Sequence, residues 1–364
     1  MSIKKYQPGF FDLETRANKL TEMGDPLVDL KLWIDWEAFR IELSNVHEKT
    51  RKSNAGAKPI DVVLLFQMLV LQHLDNLSDE ELEYQVRDRL SFRRFLGLQL
   101  EDRVPAAKTV WWFRERLTEL GLVENLLVRF HEQLAAHGYV ARQGQMVDAT
   151  NVSAPRQRNS REENAQIKAG ASPTGWQVAK ARQKDVDARW AKKNEETHYG
   201  YQNHINADAA NKLIQDYAVT DAAVHDSQVL DQLLDYTKQA DGTTRPVYAD
   251  SAYRSQERET PLAKAELQSQ ICEKGSRGHP LTEAQKNNNR NKSKVRARVE
   301  HIFGAQNQMG GHLVRTIGIA RATTKIGMMN LVYNMTRLIQ LRKRDAKKKS
   351  VCAVSSGELA GAPA

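Results

Sequence analysis

The chain has 364 residues, of which 40% are hydrophobic and 27% charged, and this composition fits roughly two domains of a globular protein. Its 54 Lys and Arg against 45 Asp and Glu give a formal net charge of +9, which favours a polyanionic partner because neutralised phosphates release counterions. Two cysteines in unrelated contexts and no apolar run long enough to span a membrane exclude a disulfide framework, a cysteine zinc site and a transmembrane protein, so we expect a cytosolic one.

Helical patterns dominate the first part of the chain. Residues 60–74 are apolar almost all round, which predicts a central core helix rather than a surface helix. Ser78 precedes an acidic run with Glu81 three residues later, and this spacing matches a capping box at the start of the next helix. We therefore predict an all-α domain over residues 1–138.

The segment KTVWWFRERLTEL predicts a helix with one basic side. Its apolar stripe leaves Lys108, Arg114 and Arg116 available for solvent or for phosphate. Several short helices with a basic, aromatic-bearing member could form a helix-turn-helix that reads DNA. We expect Trp111 and Trp112 in the core rather than as platforms for base stacking.

A strand is predicted next, in the stretch GQMVDATNVSAP. A short apolar run precedes Asp148, and small polar residues and Pro155 follow it. This pattern indicates a buried strand that ends at Asp148, with the carboxylate at the start of a loop. The segment that follows, residues 156–197, is rich in Arg, Lys, Gln and Asn and predicts a polar insertion with a mobile middle, anchored by Trp176 and Trp190.

Further strands and helices follow this insertion. HYGYQNHINAD and KLIQDYAVTD predict a two-stranded hairpin with DAAN as its turn. Asp226 is predicted as the N-cap of the helix SQVLDQLLDYT rather than as a ligand. Asp250 then closes the strand-like RPVYADSAY, and Glu300 lies in the helix-like VRARVEHIFG.

Asp148, Asp250 and Glu300 are candidates for a shared metal site. Each acid alone is more often a turn former or an N-cap. Phosphodiester chemistry is served by two Mg²⁺ ions about 3.5 to 4 Å apart, which stabilise the entering and leaving oxygens. Because Mg²⁺ is held by one or two carboxylates together with phosphates and water, three acids can serve two ions. The acids are far apart in sequence, so only the fold can bring them together.

A basic stretch precedes Glu300. Residues 285–298 hold six basic residues and no acid, which indicates a stretch that faces nucleic acid or a solvated face. On a single helical wheel Glu300 borders the apolar stripe and Arg296 shares its flank. Arg296 could orient that carboxylate, clamp a phosphate or form only a surface ion pair.

These motifs resemble a known family. VDATNVSAP, HYGYQNHINAD with VHDS, VYADSAY and RARVEHIFG resemble, in this order, the core blocks of bacterial insertion-sequence transposases of the DDE type. GDPLVDLKLWIDWEAFR and VPAAKTVWWFRERL are similar to the helical domain of the same proteins. Within the larger IS-four-like superfamily the chain looks most like the IS-five group, and the resemblance extends to about Leu341.

The resemblance implies an α/β fold: a ribonuclease-H-like catalytic core, with a mixed β-sheet flanked by helices, over residues 139–341, behind an all-α DNA-binding domain. It also implies a DDE triad that holds two Mg²⁺ ions, with Mn²⁺ as a substitute. The wider set has the signature tyrosine, two residues, arginine, three residues, glutamate, six residues, lysine; Ser293 and Asn307 replace its tyrosine and lysine. The implied triad is Asp148, Asp250 and Glu300; the auxiliary or phosphate-binding residues are Arg296 and Arg298; the DNA-binding candidates are Lys108, Arg114, Arg116, Lys292 and Lys294.

The resemblance further implies a transposase that binds the terminal inverted repeats of its element, cuts the DNA ends and joins them to target DNA. Such an enzyme works on double-stranded DNA as a homodimer or a larger assembly, at the nucleoid in the bacterial cytoplasm. A catalytically silent DNA-binding regulator and a ribonuclease-H-like nuclease that never joins DNA are the alternatives. The basic tail, residues 342–364, is predicted to be disordered.

Overall fold

The computed structural model of this chain describes residues 9, 11–47, 58–140, 143–193, 195–238, 242–275 and 278–355. The chain divides into two compact units, one of Met1–Leu117 with Leu338–Ala364 and one of Thr118–Arg337. Within the described ranges, no helix has the length and the apolar character needed to cross a bilayer.

The first unit is built from helices, as predicted. The predicted core helix forms behind an Asp61 N-cap and buries nearly all of its side chains. The capping box also forms, because the Ser78 hydroxyl accepts from the Glu81 N–H and the Glu81 carboxylate accepts from the Ser78 N–H. The helices are α1 (Asp12–Glu22), α2 (Pro26–Trp33), α3 (Arg40–Ser44), α4 (Val62–Leu74), α5 (Asp79–Asp88), α6 (Leu90–Leu96) and α7 (Ala107–Glu119).

The two tryptophans of α7 are exposed, so the prediction that they lie in the core is wrong. Trp111 is 50% exposed and Trp112 is 37% exposed. The buried stripe of α7 consists instead of Val110, Phe113 and Leu117 at positions i, i+3 and i+7. Because a helix turns by about 100° per residue, the two positions that follow Val110 face away from this stripe.

The second unit is mixed α/β. Its helices are α8 (Leu122–Ala136), α9 (Arg161–Lys168), α10 (Val178–Arg182), α11 (Leu230–Leu233), α12 (Gln256–Lys264), α13 (Glu283–Arg296), α14 (Arg298–Gln308) and the first part of α15 (Ile319–Ser355). Its strands are β1 (Gln145–Ser153), β2 (Arg189–Lys193), β3 (Glu196–Asp208), β4 (Ile214–Asp221), β5 (Arg245–Tyr248) and β6 (Leu267–Ser269).

These strands form one mixed sheet with β1 at its centre. β1 is antiparallel to β3 along its whole length and parallel to β5, and β6 extends the sheet beyond β5. The other edge of β3 pairs with β2 near its start and with β4 near its end, which confirms the predicted hairpin. The predicted fold class, a mixed sheet flanked by helices behind an all-α N-terminal region, is therefore confirmed.

The polar insertion contains regular structure. α9, α10 and β2 lie within the predicted range 156–197. The indole N–H of Trp176 donates to Glu163 at 2.6 Å, and this contact joins the segment before α10 to α9. Trp190 lies on β2 and is 49% exposed, with its ring 5.0 Å from that of Tyr199.

The basic tail continues α15 as far as Ser355, so the predicted disorder from Arg342 onward is wrong for this part. The segment lacks Gly and Pro and is rich in Lys, Arg and Ala, which are good helix formers. Two of its cations also have partners: the guanidinium of Arg342 lies 4.0 Å from the Trp33 ring, and Lys343 pairs with Asp29 at 2.7 Å. Residues 356–364 lie outside the described ranges.

Buried amides fix α14 and α15 against the sheet. Asn203 of β3 donates to Asn330 of α15 at 3.0 Å, and Gln306 of α14 donates to the same Asn330 oxygen at 2.7 Å. All three residues are at most 1% exposed. One helical turn further along α15, Asn334 bonds both the N–H and the C=O of Ile214, at 2.9 and 2.7 Å.

Replacing Asn330 with leucine should destabilise the protein, because the amides of Asn203 and Gln306 would lose their partner inside the core. We expect the free energy of unfolding to fall by about 2–4 kcal/mol, since each unsatisfied buried group costs about 1–3 kcal/mol. Urea unfolding would measure it. The matched control is Asn307→Leu on exposed α14 surface, which should change stability by less than about 0.5 kcal/mol. Equal effects of the two substitutions would contradict this role of the amide cluster.

Candidate active site

The pairing of β1 with β5 brings Asp148 and Asp250 to one level of the sheet. The two parallel strands pair at Met146 and Tyr248, and each acid lies two residues beyond its member of this pair. The backbone after Tyr248 stays extended, because the carbonyl of the next residue accepts from the Cys272 N–H at 3.1 Å. Neighbouring strands lie about 4.8 Å apart, so matched positions on them are close in space.

Both acids point to the same face of the sheet. The residue before each acid, Val147 or Ala249, is at most 1% exposed and belongs to the apolar core formed with α11 and α12. Side chains alternate between the faces of an extended chain, so Asp148 and Asp250 emerge on the face opposite to that core. Both are only partly exposed.

Asp148 lies in the middle of β1, whereas the sequence predicted that the strand ends there. The strand continues to Ser153 because β3 pairs with it over its entire length. The opening lies at the other edge, where the pairing with β5 ends at Tyr248. The backbone of Asp148 is therefore paired with β3 on one side and lies beyond the last residue pair with β5 on the other.

Arg296, the last residue of α13, reaches this opening. Its Nη1 donates to Oδ2 of Asp148 at 2.8 Å, and the two side chains are 25% and 17% exposed. Burial by itself lowers the pKa of Arg296, but the charges of Asp148 and Asp250 outweigh it, and the pKa is raised above its usual value. The guanidinium thus faces both acids and does not form the surface ion pair considered from the sequence.

Tyr253 adds a buried hydroxyl that the sequence did not predict. Asp250 caps a 3₁₀ turn, Ser251–Tyr253, by accepting from the Ser251 N–H. Tyr253 is 1% exposed, and its hydroxyl has no hydrogen-bond partner among the described residues. Burial raises its pKa, as do the charges of Asp226, Asp148 and Asp250. The spacing of Asp250 and Tyr253 did not signal this, because Asp250 is the extended N-cap of the turn and lies outside it.

Asp226 faces the same hydroxyl, and its predicted role as an N-cap is wrong. The cap is His225, whose ring nitrogen accepts from the Ser227 N–H, and the following turn is 3₁₀. Arg258 fixes this turn beside Asp250, because it donates to the carbonyls of Ser227 and Tyr253. The predicted long helix shortens to α11, and Asp226 lies in the 3₁₀ turn before it.

Glu300 is not gathered with the two aspartates. Its side chain is exposed in the first turn of α14 and makes no hydrogen bond or ion pair within the described part of the chain. The single helical wheel does not hold here, because α13 ends at Arg296 and the Glu300 N–H bonds Ala297 through a tighter i+3 contact of 3.2 Å.

The fit of a metal ion rests on the two aspartates. Across the described residues, no group of three His, Cys, Asp or Glu side chains lies close enough to hold an ion. Mg²⁺ in phosphoryl-transfer sites is commonly held by one or two carboxylates, with phosphates and water as the remaining ligands. Asp148 and Asp250 match that requirement, and the unsatisfied Tyr253 hydroxyl marks a polar position beside them.

Arg114, Lys292 and Arg298 are among the predicted cations that have partners within the protein. Arg114 makes a bidentate pair with Asp79 at 2.8 Å. Lys292 donates to the Ile271 carbonyl at 3.1 Å, and Arg298 donates to the Ala209 carbonyl at 2.7 Å. Their donors are engaged in fixing the fold.

The outer side of α13 is basic and exposed, and two of its cations contact neighbouring side chains: Lys286 pairs with Glu283 at 2.8 Å and Arg290 donates to Asn287 at 3.1 Å. Asn289 holds the helix on its inner side by bonding both the N–H and the C=O of Glu273 at 2.9 Å. Lys286, Arg290 and Lys294 follow each other at intervals of four residues and line a cavity of about 890 Å³. Residues four apart lie on one face of a helix, so these cations form a row beside the helix end that carries Arg296.

Comparison with known proteins identifies two regions. A family model described as "Transposase DDE domain" matches residues 141–335, and one described as "Transposase domain (DUF772)" matches residues 15–116. Among solved structures, the chain is similar to piggyBac transposase in a synaptic complex with hairpin DNA. That match has 12% identity and a TM-score of 0.45, and covers 86% of this chain and 74% of the other. It is too weak to bear on the fold or the function.

Removing the Tyr253 hydroxyl should stabilise the protein, because a buried hydroxyl without a partner costs about 1–3 kcal/mol. We expect Tyr253→Phe to raise the free energy of unfolding by about 1 kcal/mol, measured by denaturant titration. The matched control is Tyr201→Phe: this buried hydroxyl donates to Asp185 at 2.7 Å, and its loss should lower stability. Destabilisation by both substitutions would contradict the unsatisfied state of Tyr253.

Proposed function

Because the chain belongs to the transposase DDE domain family, whose model matches more than half of its residues, we propose the following activity for this transposase. It binds the terminal inverted repeats of its own insertion sequence, cleaves the DNA ends in the presence of Mg²⁺ and joins the freed 3′ hydroxyls to target DNA. The order of its core blocks supports membership of the IS-five group. Because the enzyme would act on both DNA ends of the element together, we propose that it functions as a dimer or a larger assembly at the bacterial nucleoid.

The observation that supports this proposal most strongly is the strand register that places Asp148 and Asp250 on one face, with Arg296 beside them. We propose that these two aspartates hold Mg²⁺. When bound, the ion stabilises negative charge on the attacking and leaving oxygens of the phosphodiester. Mn²⁺, a hard cation with similar ligand preferences, is expected to substitute.

Arg296 has two roles in this proposal. Its Nη1 holds the Asp148 carboxylate in one orientation, and the positive charge of the guanidinium stabilises the ionised form of that carboxylate. Its Nε is buried and has no hydrogen-bond partner among the described residues, so this N–H would reach an oxygen of the scissile phosphate only after the side chain shifts on DNA binding. Arginine suits this dual task because its planar fork presents several donors in fixed directions.

Two reactions would occur in succession at this site. In the first, water attacks the phosphorus, the O3′ atom leaves with its electron pair, and a 3′ hydroxyl and a 5′ phosphate result. In the second, that 3′ hydroxyl attacks a phosphodiester of the target, and the target strand leaves through its own O3′. Both steps need in-line geometry, which positioned groups supply.

Glu300 is proposed as the third acid of the triad. Its carboxylate is exposed and available to an ion held together with DNA. For DNA contacts, the proposal keeps Lys108 and Lys294, which are exposed, and Arg116, and adds Lys286 and Arg290 on the outer side of α13. The separation of Glu300 from the aspartates favours one alternative, a catalytically silent regulator that still binds DNA.

Replacing Asp250 with asparagine should abolish chemistry while DNA binding persists. The probe is a duplex that carries the inverted repeats bordering the gene, incubated with Mg²⁺ or Mn²⁺. We expect cleavage and strand transfer to fall by at least about 10³-fold, the scale of losing a principal catalytic group. Asp231→Asn, an exposed acid on α11, is the matched control. Activity that survives in the Asp250 variant would overturn the assignment.

Glu300→Gln separates the transposase from the regulator. If Glu300 is the third acid, this substitution should reduce cleavage as strongly as the loss of Asp250, with unchanged affinity for the duplex. Glu257→Gln, an exposed glutamate in the first turn of α12, serves as the control. A wild-type protein that binds the ends but never cuts them would instead favour the regulator.

A further inference from the structure

A basic cavity lies beyond the carboxyl end of β1, away from the acids. Two backbone bonds tie Ser153, the last residue of β1, to the segment before α15: its N–H donates to His312 O and its carbonyl accepts from the Val314 N–H, both at 2.9 Å. The two segments that continue from this bridge, residues 155–158 and 315–317, line a cavity of about 400 Å³ together with residues of the insertion.

Five basic residues line this cavity, against a single acid. The acid, Asp185, is 4% exposed, and both of its carboxylate oxygens accept hydrogen bonds within the protein. One oxygen accepts from the Tyr201 hydroxyl at 2.7 Å, and the other accepts from two backbone N–H groups at 3.0 Å. The cavity therefore presents positive charge. Its basic residues are Arg156, Arg158, Lys180, Lys184 and Arg315.

Three of these cations build the cavity wall. Lys184 donates to the carbonyl of Arg158 and to the side chain of Asn159, both at 2.8 Å. Lys180 pairs with Glu163 at 2.6 Å, and Arg156 lies 5.4 Å from the ring of Trp190. These contacts give the wall a fixed shape.

The two remaining cations are open to a ligand. The guanidiniums of Arg158 and Arg315 are on exposed residues and have no ion-pair or hydrogen-bond partner within the described ranges. The hydroxyl oxygen of Thr316, another residue that lines the cavity, is buried without a hydrogen-bond partner among the described residues. Guanidinium groups and a hydroxyl are donors, and an oxyanion such as phosphate accepts from both.

We infer that this cavity is a second phosphate-binding site, occupied by the backbone of double-stranded DNA while the scissile phosphate lies at the site of the two aspartates. The inference rests on the proposed function. Asp148 lies five residues before the end of β1, a distance of about 17 Å at ~3.4 Å per residue. For a duplex that runs along β1, with a rise of about 3.4 Å per base pair, the bound phosphate would lie about five base pairs from the scissile position.

The test combines changes in the protein with changes in the DNA. The double variant Arg158→Ala/Arg315→Ala is compared with Arg161→Ala/Lys264→Ala, which removes two exposed positive charges outside the cavity. The probe is a 40-bp duplex, about 20 bp on each side of the cleavage position, with affinity measured by fluorescence anisotropy over a salt series. Each lost phosphate contact lowers the dependence of log K on log salt by about 0.9, and the cavity is proposed to hold one phosphate, so we expect a decrease of about 1 for the cavity variant only.

Neutral methylphosphonates then locate the contact. Placed singly at positions three to eight from the scissile phosphate, on the element side or on the flanking side, they should weaken wild-type binding near position five on one side. The same substitution should have no effect on the cavity variant. Wild-type sensitivity confined to the target strand in a joining assay would identify target DNA as the ligand, and would also support the site.

Three results would overturn the inference: a salt dependence equal to that of the control variant, an affinity loss that no methylphosphonate position reproduces, or equal methylphosphonate sensitivity in wild type and cavity variant. Failure of the proposed function is separable. In that case the wild type would not cleave DNA, yet the affinity of the cavity variant would still depend less on salt than the affinity of the wild type. If the inference alone fails, the wild type cleaves and the cavity variant binds DNA like the control.

Discussion

The contact between Arg296 and Asp148 is the constraint on which the rest of the site depends. It joins the end of α13 to the centre of the sheet, and it is partly buried, so neither charge can be removed without leaving the other poorly compensated. The strand register supplies a second carboxylate at the same level, and the 3₁₀ turn after β5 supplies a buried hydroxyl. The strand β1, the turn after β5 and the end of α13 thus each contribute polar groups to this site.

Net charge is a poor guide to which cations meet DNA in this protein. Many arginines act as structural cross-links. Arg245, for example, is 4% exposed and bonds Asp235 and the Thr237 carbonyl from the start of β5. Arg114 and Arg298 likewise have their donors engaged by the protein. Exposed cations line two cavities, one along the outer side of α13 and one beyond β1, where they can exchange counterions for phosphates.

Much of the fold could be predicted from periodicity and capping signals. The core helix α4, the capping box at Ser78 and the β3–β4 hairpin all follow from local chemistry, and the structure confirms them. Two predictions that failed involve contacts between distant segments: β1 continues past Asp148 where it pairs with β3, and the tail from Arg342 contacts Trp33 and Asp29. The resemblance to a family singled out the acids, but no local pattern could show that Glu300 lies apart from the other two.

The buried amides between β3, α14 and α15 have a mechanical consequence. An apolar contact between a helix and a sheet tolerates a small rotation or slide, because one methyl group can replace another. A mutual set of hydrogen bonds among Asn203, Gln306 and Asn330 does not, since any slip of one residue unpairs all of them in a place that water cannot reach. These amides fix the position of each helix relative to the strand. Arg296 lies at the junction before α14, and the position of its backbone is therefore fixed before DNA binds. The entropic cost of ordering this junction is met during folding rather than during DNA binding.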